Sequence, residues 1–249
     1  MELTHDFRQR TALLLGDERM ARLQNARVAV FGLGGVGGAC AEALCRAGVG
    51  RLTLVDNDTV SLSNINRQIV ALHSTVGQPK TAALRARLLD INPACDIEEK
   101  NLFFDQSTAD SIDFSAFDYM IDAIDTVSAK LLLVERARAA GTPILCCMGT
   151  GNKLEPTRLR ISAIEKTSVC PLCRVMRREL RARGIAGVRV LWSDESPCVP
   201  IQQLSENGEE QGASHQGSAE EKTRKGCGDC DNCYRAAADR TGYLRVCDG

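Results

Sequence analysis

The sequence predicts a doubly wound α/β protein on a mostly parallel sheet, followed by a strand–helix extension and a polar tail. Three observations predict it. An apolar strand runs directly into a glycine turn, Val28-Ala29-Val30-Phe31-Gly32-Leu33-Gly34-Gly35-Val36-Gly37. Short apolar runs then alternate with segments of helical periodicity, the alternation that builds parallel sheets. The run at 143–148 is continuously apolar, as expected of a strand covered on both faces.

A short leading helix is expected at 17–24, then a strand at 27–31 and a helix at 37–47 that starts on the glycines. The strand 51–55 ends in Asp56, and a long polar loop leads to a helix at 79–91. A further strand at 118–121, a helix at 127–140 and the strand 143–148 complete a Rossmann-like unit. Beyond it, 159–164 alternates like a half-exposed strand, Pro171 opens a helix running to about 183, and 188–192 is one more strand. Residues 196–223 are rich in Ser, Glu, Gln and Gly and contain little to bury, which predicts a mobile segment. The expected organisation is one domain over 1–195 and a polar, cysteine-containing tail over 196–249.

With 249 residues the chain can bury a full core. Its 31 basic and 32 acidic residues nearly cancel, so any nucleic-acid partner must be met by a local charge. No apolar run is long enough to span a membrane, and Met1-Glu2-Leu3-Thr4-His5-Asp6 lacks the core of a signal peptide, so the expected location is cytoplasmic. Twelve cysteines are many, yet Cys40, Cys45, Cys95, Cys146 and Cys147 fall in apolar contexts where a reduced thiol packs as a small hydrophobe. A disulfide framework is not expected.

The glycine turn offers backbone N–H groups and a helix N-terminus to phosphates, so Gly32, Gly34, Gly35 and Gly37 form the first candidate site. Many glycine-rich strand-to-helix turns bind nothing, and the commonest true match is a dinucleotide site. Here the turn is followed by Asp56, suited to a ribose hydroxyl, and by Asn64-Ile65-Asn66-Arg67-Gln68 and Lys80. A redox cofactor does not need those cations, whereas ATP does, and adenylation of a carboxylate needs positive charge on its phosphates. Taken singly, Arg67 and Lys80 read as solvated surface charges. Asp122 and Asp125 stand at the carboxyl end of strand 118–121, where either could hold Mg²⁺, and Asp125 could equally cap the next helix. Arg10 lies ahead of the core and reads as an exposed arginine or as an arginine finger.

Between Arg158 and Arg183 stand eight basic and two acidic residues. Arg174, Arg177, Arg178 and Arg181 follow helical spacing and could line one side of a helix against RNA phosphates, or simply solvate it. Cys170 and Cys173, with Cys227, Cys230 and Cys233, supply enough thiols for a four-cysteine Zn²⁺ site, Cys170, Cys173, Cys227 and Cys230 being the candidate set and spare thiols the alternative.

Over residues 6–192 these motifs, in this order and spacing, resemble the ubiquitin-activating-like adenylating enzymes, a family that includes the sulfur-carrier activators of molybdopterin and thiamine synthesis. The resemblance implies that Gly35 borders the phosphates, Asp56 binds ribose, and Asn64, Arg67 and Lys80 handle phosphate. It further implies that Asp125 binds Mg²⁺ and that Arg10 is donated to the partner's site in a homodimer. Residues 148–158 and 166–180 look like those of the tRNA threonylcarbamoyladenosine dehydratases, which implies a tRNA substrate whose threonyl carboxylate is adenylated and then cyclised. Two other readings stand beside it: activation of the C-terminal glycine of a ubiquitin-like sulfur carrier, with a sulfur-transfer partner, and a nucleotide-binding partner protein without catalysis.

Overall fold

A computed structural model describes residues 6–198 of the chain. They fall into two compact units, one ending at Cys147 and the other beginning at Met148.

The first unit opens with α1 (Gln9–Asn25), which is broken at Gly16, where φ is 76°. The expected helix at 17–24 is the part after this break. Before it, Leu13 and Leu14 are more than four-fifths exposed, so no amphipathic stripe marks that turn in the sequence. Then follow β1 (Arg27–Phe31), α2 (Gly35–Ala47), β2 (Arg51–Val55), α3 (Lys80–Ile91), β3 (Asp96–Lys100), β4 (Tyr119–Asp122), α4 (Val127–Ala140) and β5 (Ile144–Cys147). The five strands are parallel, in the order β3-β2-β1-β4-β5.

Sequence alone does not reveal β3, because Asp-Ile-Glu-Glu-Lys has no apolar run. It is an edge strand, tied to its neighbour by register and by charge: Arg51 faces Asp96 at 3.5 Å, and Glu98 accepts from the Thr53 hydroxyl. Charged side chains on an open edge also discourage further strand pairing.

The first four residues after Arg27 in β1 are buried, and alternation sends Ala29 and Phe31 to the side that α4 covers. There Phe31, Phe104 and Phe114 pack with ring centroids 5.2–6.2 Å apart, alongside Met120, Leu133 and Ala137. Aromatic burial of this kind anchors the central strand. The register matters most for function. Phe31 pairs with Val55 on one side and with Asp122 on the other, so β1, β2 and β4 end level. Gly32, Asp56 and Ala123 therefore leave the sheet together at the point where strand order reverses, the usual ligand position of such sheets.

In the second unit β6 (Leu159–Ala163) pairs antiparallel with β7 (Arg189–Ser193), and α5 (Pro171–Ala182) connects them. Cys173, Met176 and Leu180 form the buried side of α5, spaced as one helical face requires. Residues 199–249 lie outside the described residues, and with them all but the first three residues of the expected polar tail, including Cys227, Cys230 and Cys233. Among the described residues no helix is long and apolar enough to cross a membrane, and the eight described cysteines are free thiols.

Candidate functional site

The glycine turn is forced by its neighbours. Gly32 has a φ of 85°, and a Cβ there would lie 2.6 Å from the Ala123 carbonyl oxygen. A Cβ on Gly37 would sit 1.8 Å from the Gly32 carbonyl oxygen. These two glycines let the turn close against the β4 end. Gly34 differs, because a Cβ on it would meet nothing nearer than the Gln68 amide nitrogen at 3.9 Å, and its φ of −68° suits any residue. Packing does not demand glycine there. Gly35 is the first residue of α2, whose N-terminus offers N–H groups to an anion.

Asp56 is tied to this turn. Its carboxylate accepts the Leu33 N–H at 2.6 Å and the Asp58 N–H at 2.8 Å. Asp58 in turn accepts from the Lys80 ammonium at 2.7 Å, so a chain of bonds runs from the glycine turn to the first residue of α3. The Lys80 side chain is only 7 % exposed while that of Asp58 is 59 % exposed, which refutes the solvated-surface reading of Lys80. A lysine held at a helix start by an exposed carboxylate can exchange that partner for a phosphate.

The loop before α3 carries the other polar candidates. Asn64 is buried and closes a capping box with Ser61, its side-chain oxygen accepting the Ser61 N–H at 3.1 Å. Arg67 is half-buried and donates to the Ser63 carbonyl at 2.7 Å and to Asn66 at 2.9 Å, which fixes its guanidinium beside the loop. Gln68 is buried with its side-chain oxygen unpartnered, as is the hydroxyl of Thr81, next to Lys80. Buried polar atoms without partners are rare, and each of these belongs to the chain neighbour of a phosphate candidate, Arg67 or Lys80. Sequence reasoning quoted Gln68 within its motif without giving it a role, and passed over Asp58 and Thr81.

The structure separates the two aspartates of β4. Asp122 is fully buried, paired with the equally buried Lys130 at 2.9 Å, and accepts the Ile124 N–H at 3.1 Å. Lys130 also donates to the Cys147 carbonyl at 2.7 Å, stapling the ends of β4 and β5. Burial opposes charge on Lys130, yet the adjacent Asp122 carboxylate outweighs it and raises its pKa above the ordinary lysine value. Burial pushes the Cys147 thiol up to about 12 and Cys146 well above its ordinary value, so neither is a ready nucleophile. Asp122 is thus consumed internally. Asp125 is exposed, with the Thr126 hydroxyl 3.3 Å away, and Thr126 rather than Asp125 occupies the N-cap of α4. Asp125 fits a hard cation, which takes carboxylate oxygen.

Arg10 is exposed on α1. Its neighbour Arg8 does structural work instead, ion-paired to Asp6 and stacked over the Phe7 ring at 5.5 Å.

In the second unit, Arg174, Arg178 and Arg181 are exposed at positions that share one side of α5. Arg177 is turned away from them, half-buried, with its guanidinium donating to the Thr167 carbonyl at 2.6 Å and to the Thr167 hydroxyl. Part of the local positive excess is also met by a residue beyond the counted window: Asp194 pairs with both Arg158 and Arg160 at 2.7 Å. Cys170 and Cys173 come together at the start of α5. Hydrogen bonding from the Cys173 thiol, against burial and with help from backbone N–H groups and Lys153, lowers Cys170 to about 6, while Cys173 is raised. Among the described residues no group of three or more His, Cys, Asp or Glu gathers to hold a metal ion.

An adenylating type of nucleotide site is what these elements define: a glycine turn, a bound acidic residue after the second strand, a buried lysine and a spare carboxylate at the switch point. The chain belongs to the ThiF family, which matches residues 8–191. It is 45 % identical over 198 residues to the tRNA threonylcarbamoyladenosine dehydratase of Bacillus subtilis, covering 79 % of this chain and 78 % of that protein. The Escherichia coli enzyme of the same name is 34 % identical over 205 residues, 78 % of this chain and 76 % of its own. The crystal structure of that E. coli dehydratase in complex with ATP matches with a TM-score of 0.73 at 33 % identity, covering 80 % of this chain and 87 % of that one.

Proposed function

We propose that the chain is an ATP-dependent tRNA threonylcarbamoyladenosine dehydratase. The observation that carries this reading is the bonded path from the glycine turn through Asp56 and Asp58 to Lys80, with Asp125 emerging at the same sheet edge. ATP lies along it with its ribose at Asp56 and its phosphates over Gly34 and Gly35, and Asn64, Arg67 and Lys80 serve the phosphates. The likeness to ATP-bound and tRNA-modifying relatives supports both substrates.

The threonyl carboxylate of the modified adenosine attacks the α-phosphorus, and the bond to pyrophosphate breaks. Charge builds on the phosphates in this step, and Arg67 and Lys80 meet it as fixed cations. The nitrogen or oxygen of the carbamoyl group then attacks the activated carbonyl, and AMP leaves with the cyclic product. Mg²⁺, when bound, offsets phosphate charge. Asp125 would hold it.

Arg174, Arg178 and Arg181 contact tRNA phosphates. Arg10 acts in the site of a second copy, which its exposure and its lack of a packing task support. The setting is cytoplasmic, in keeping with the free thiols. The test is ATP–pyrophosphate exchange with threonylcarbamoyladenosine-bearing tRNA, with a ubiquitin-like sulfur carrier and with neither. Exchange stimulated by the tRNA and abolished by Asp125→Ala, with the fold retained, is the expected result. Stimulation by the carrier alone would transfer the activity to carrier activation, and ATP binding without exchange would make the chain a nucleotide-binding partner.

A further inference from the structure

The fold holds Gln68 by its backbone and leaves its side-chain oxygen idle. The Gln68 N–H donates to the Asn64 carbonyl at 2.9 Å, and its own carbonyl accepts the Ala71 N–H at 3.0 Å. The side chain is nevertheless buried, the residue being only 7 % exposed, and Oε1 accepts from no donor. Burying an amide oxygen in that way costs stability, whereas an apolar side chain of similar length would cost none. Nothing in the free protein therefore accounts for an amide at this position.

Its location does. The segment from Gln68 to Val70 runs along the start of α2: a Cβ on Gly38 would lie 3.5 Å from Ile69 Cγ1 and 3.6 Å from Val70 Cγ1, and one on Gly34 would lie 3.9 Å from Gln68 Nε2. The amide thus flanks the N-cap of α2, which no side chain caps. One residue earlier the turn is bonded to Asp56 through the Leu33 N–H. Each Asp56 oxygen already serves one backbone N–H, from Leu33 or from Asp58. A buried acceptor and a half-used carboxylate therefore stand on neighbouring residues of the same turn.

The chemistry of an idle acceptor narrows what it can meet. The phosphates of Mg-ATP only accept hydrogen bonds, and its donors are the two ribose hydroxyls and the base amine. Of these the ribose lies next to the phosphates, and the base lies beyond it. We propose, resting on the ATP reading above, that Gln68 is a specificity-determining residue whose side-chain oxygen accepts one ribose hydroxyl of ATP while Asp56 takes the other. Asp56 and Gln68 together then make the site read a ribose rather than a deoxyribose, because the analogue lacking a hydroxyl leaves a buried acceptor unpaired.

Calorimetric titration of the full chain with Mg-ATP, with the two deoxyribose analogues that each lack one hydroxyl, and with inosine triphosphate tests this. Wild type should bind each deoxyribose analogue about three- to tenfold more weakly than ATP. In Gln68→Met one of these two penalties should collapse to within about twofold while the other remains, and ATP itself should weaken by the same three- to tenfold. Without nucleotide, Gln68→Met should melt no lower than wild type. Gln68→Asn, which withdraws the oxygen but keeps an amide, should lose the same penalty and serves where Gln68→Met fails to fold. Both penalties unchanged in the variants would overturn the proposal, and a lower melting temperature alongside them would make the amide a packing element. A loss confined to the difference between ATP and inosine triphosphate would give the oxygen to the base and overturn it too. So would unchanged penalties with a raised KM for threonylcarbamoyladenosine-bearing tRNA, which would assign the oxygen to the RNA. Failure of wild type to bind Mg-ATP at all would overturn the nucleotide site and this contact together.

Discussion

Replacing Lys130 by methionine removes an ammonium but keeps most of the side-chain length, so its cost measures the buried pair rather than a cavity. In the wild-type protein Lys130 and Asp122 are both fully buried, 2.9 Å apart, and Lys130 also serves the Cys147 carbonyl at 2.7 Å. Lys130→Met leaves a carboxylate without its counterion and a carbonyl without that donor. Breaking one side of such a pair costs about 3–5 kcal/mol. For a chain of this size that corresponds to a melting temperature lower by about 6–20 °C. Adding Asp122→Asn restores neutrality, and the amide oxygen can still accept the Ile124 N–H, so the double variant should return to within about 2 kcal/mol of wild type. Urea unfolding of the four proteins of this cycle is the assay. A loss below about 1 kcal/mol for Lys130→Met, or single effects that simply add, would refute the view that the pair is a coupled, charged staple.

Two glycines should respond in opposite ways. Gly37→Ala forces a Cβ to 1.8 Å from the Gly32 carbonyl oxygen and should destabilise the fold, whereas Gly34→Ala should leave stability within about 0.5 kcal/mol and weaken ATP binding by about tenfold or more. Calorimetric titration with Mg-ATP beside thermal melts checks both, and wild-type ATP affinity in Gly34→Ala would remove the phosphates from that position. In a salt series of tRNA binding, the triple variant Arg174→Ala, Arg178→Ala, Arg181→Ala should flatten the log–log slope by about one unit per lost contact, while ATP affinity stays unchanged. Arg177→Ala should instead lower stability, because its guanidinium holds Thr167, and an unchanged slope in the triple variant would return the other three arginines to solvation. Cys170 falls to about 6 from an ordinary 9.0, so its thiolate favours the folded state fully above about pH 9 and loses that effect as pH falls through about 6. Ultraviolet thiolate absorbance should show this step in wild type and lose it in Cys170→Ser, and an identical titration in both would exclude the assignment.

Much of the nucleotide-binding fold is legible in the chain because its parallel strands are buried on both faces. The strands at 27–31 and 51–55 are read to the residue, since each is an apolar run closed by a glycine or an aspartate. β3 escapes because an edge strand held by register and ion pairs needs no apolar signature. The first turns of α1 escape because their leucines are exposed. Within the site, residue types are readable but their states are not. Lys130 sits in an ordinary helical pattern and looks like a solvated charge. Its burial depends on Asp122, eight residues earlier, and on the end of a strand that comes later.

The same limit explains why two aspartates three residues apart cannot be told apart by sequence. Both follow an apolar strand, and either could serve a cation. Register decides between them: Asp122 is the last paired residue of β4, opposite Phe31, so its side chain belongs to the interior. An ionised carboxylate there requires a buried cation, and Lys130 supplies it. The backbone must then leave the sheet. Asp122 holds the Ile124 N–H, which bends the chain outward and brings Asp125 to the surface before α4 begins. Ala123, in between, presses its carbonyl against the space that Gly32 leaves open, so the same turn that exposes Asp125 also dictates a glycine opposite it. The buried pair thus orients a carboxylate it does not touch and sets the shape of the seat beside it.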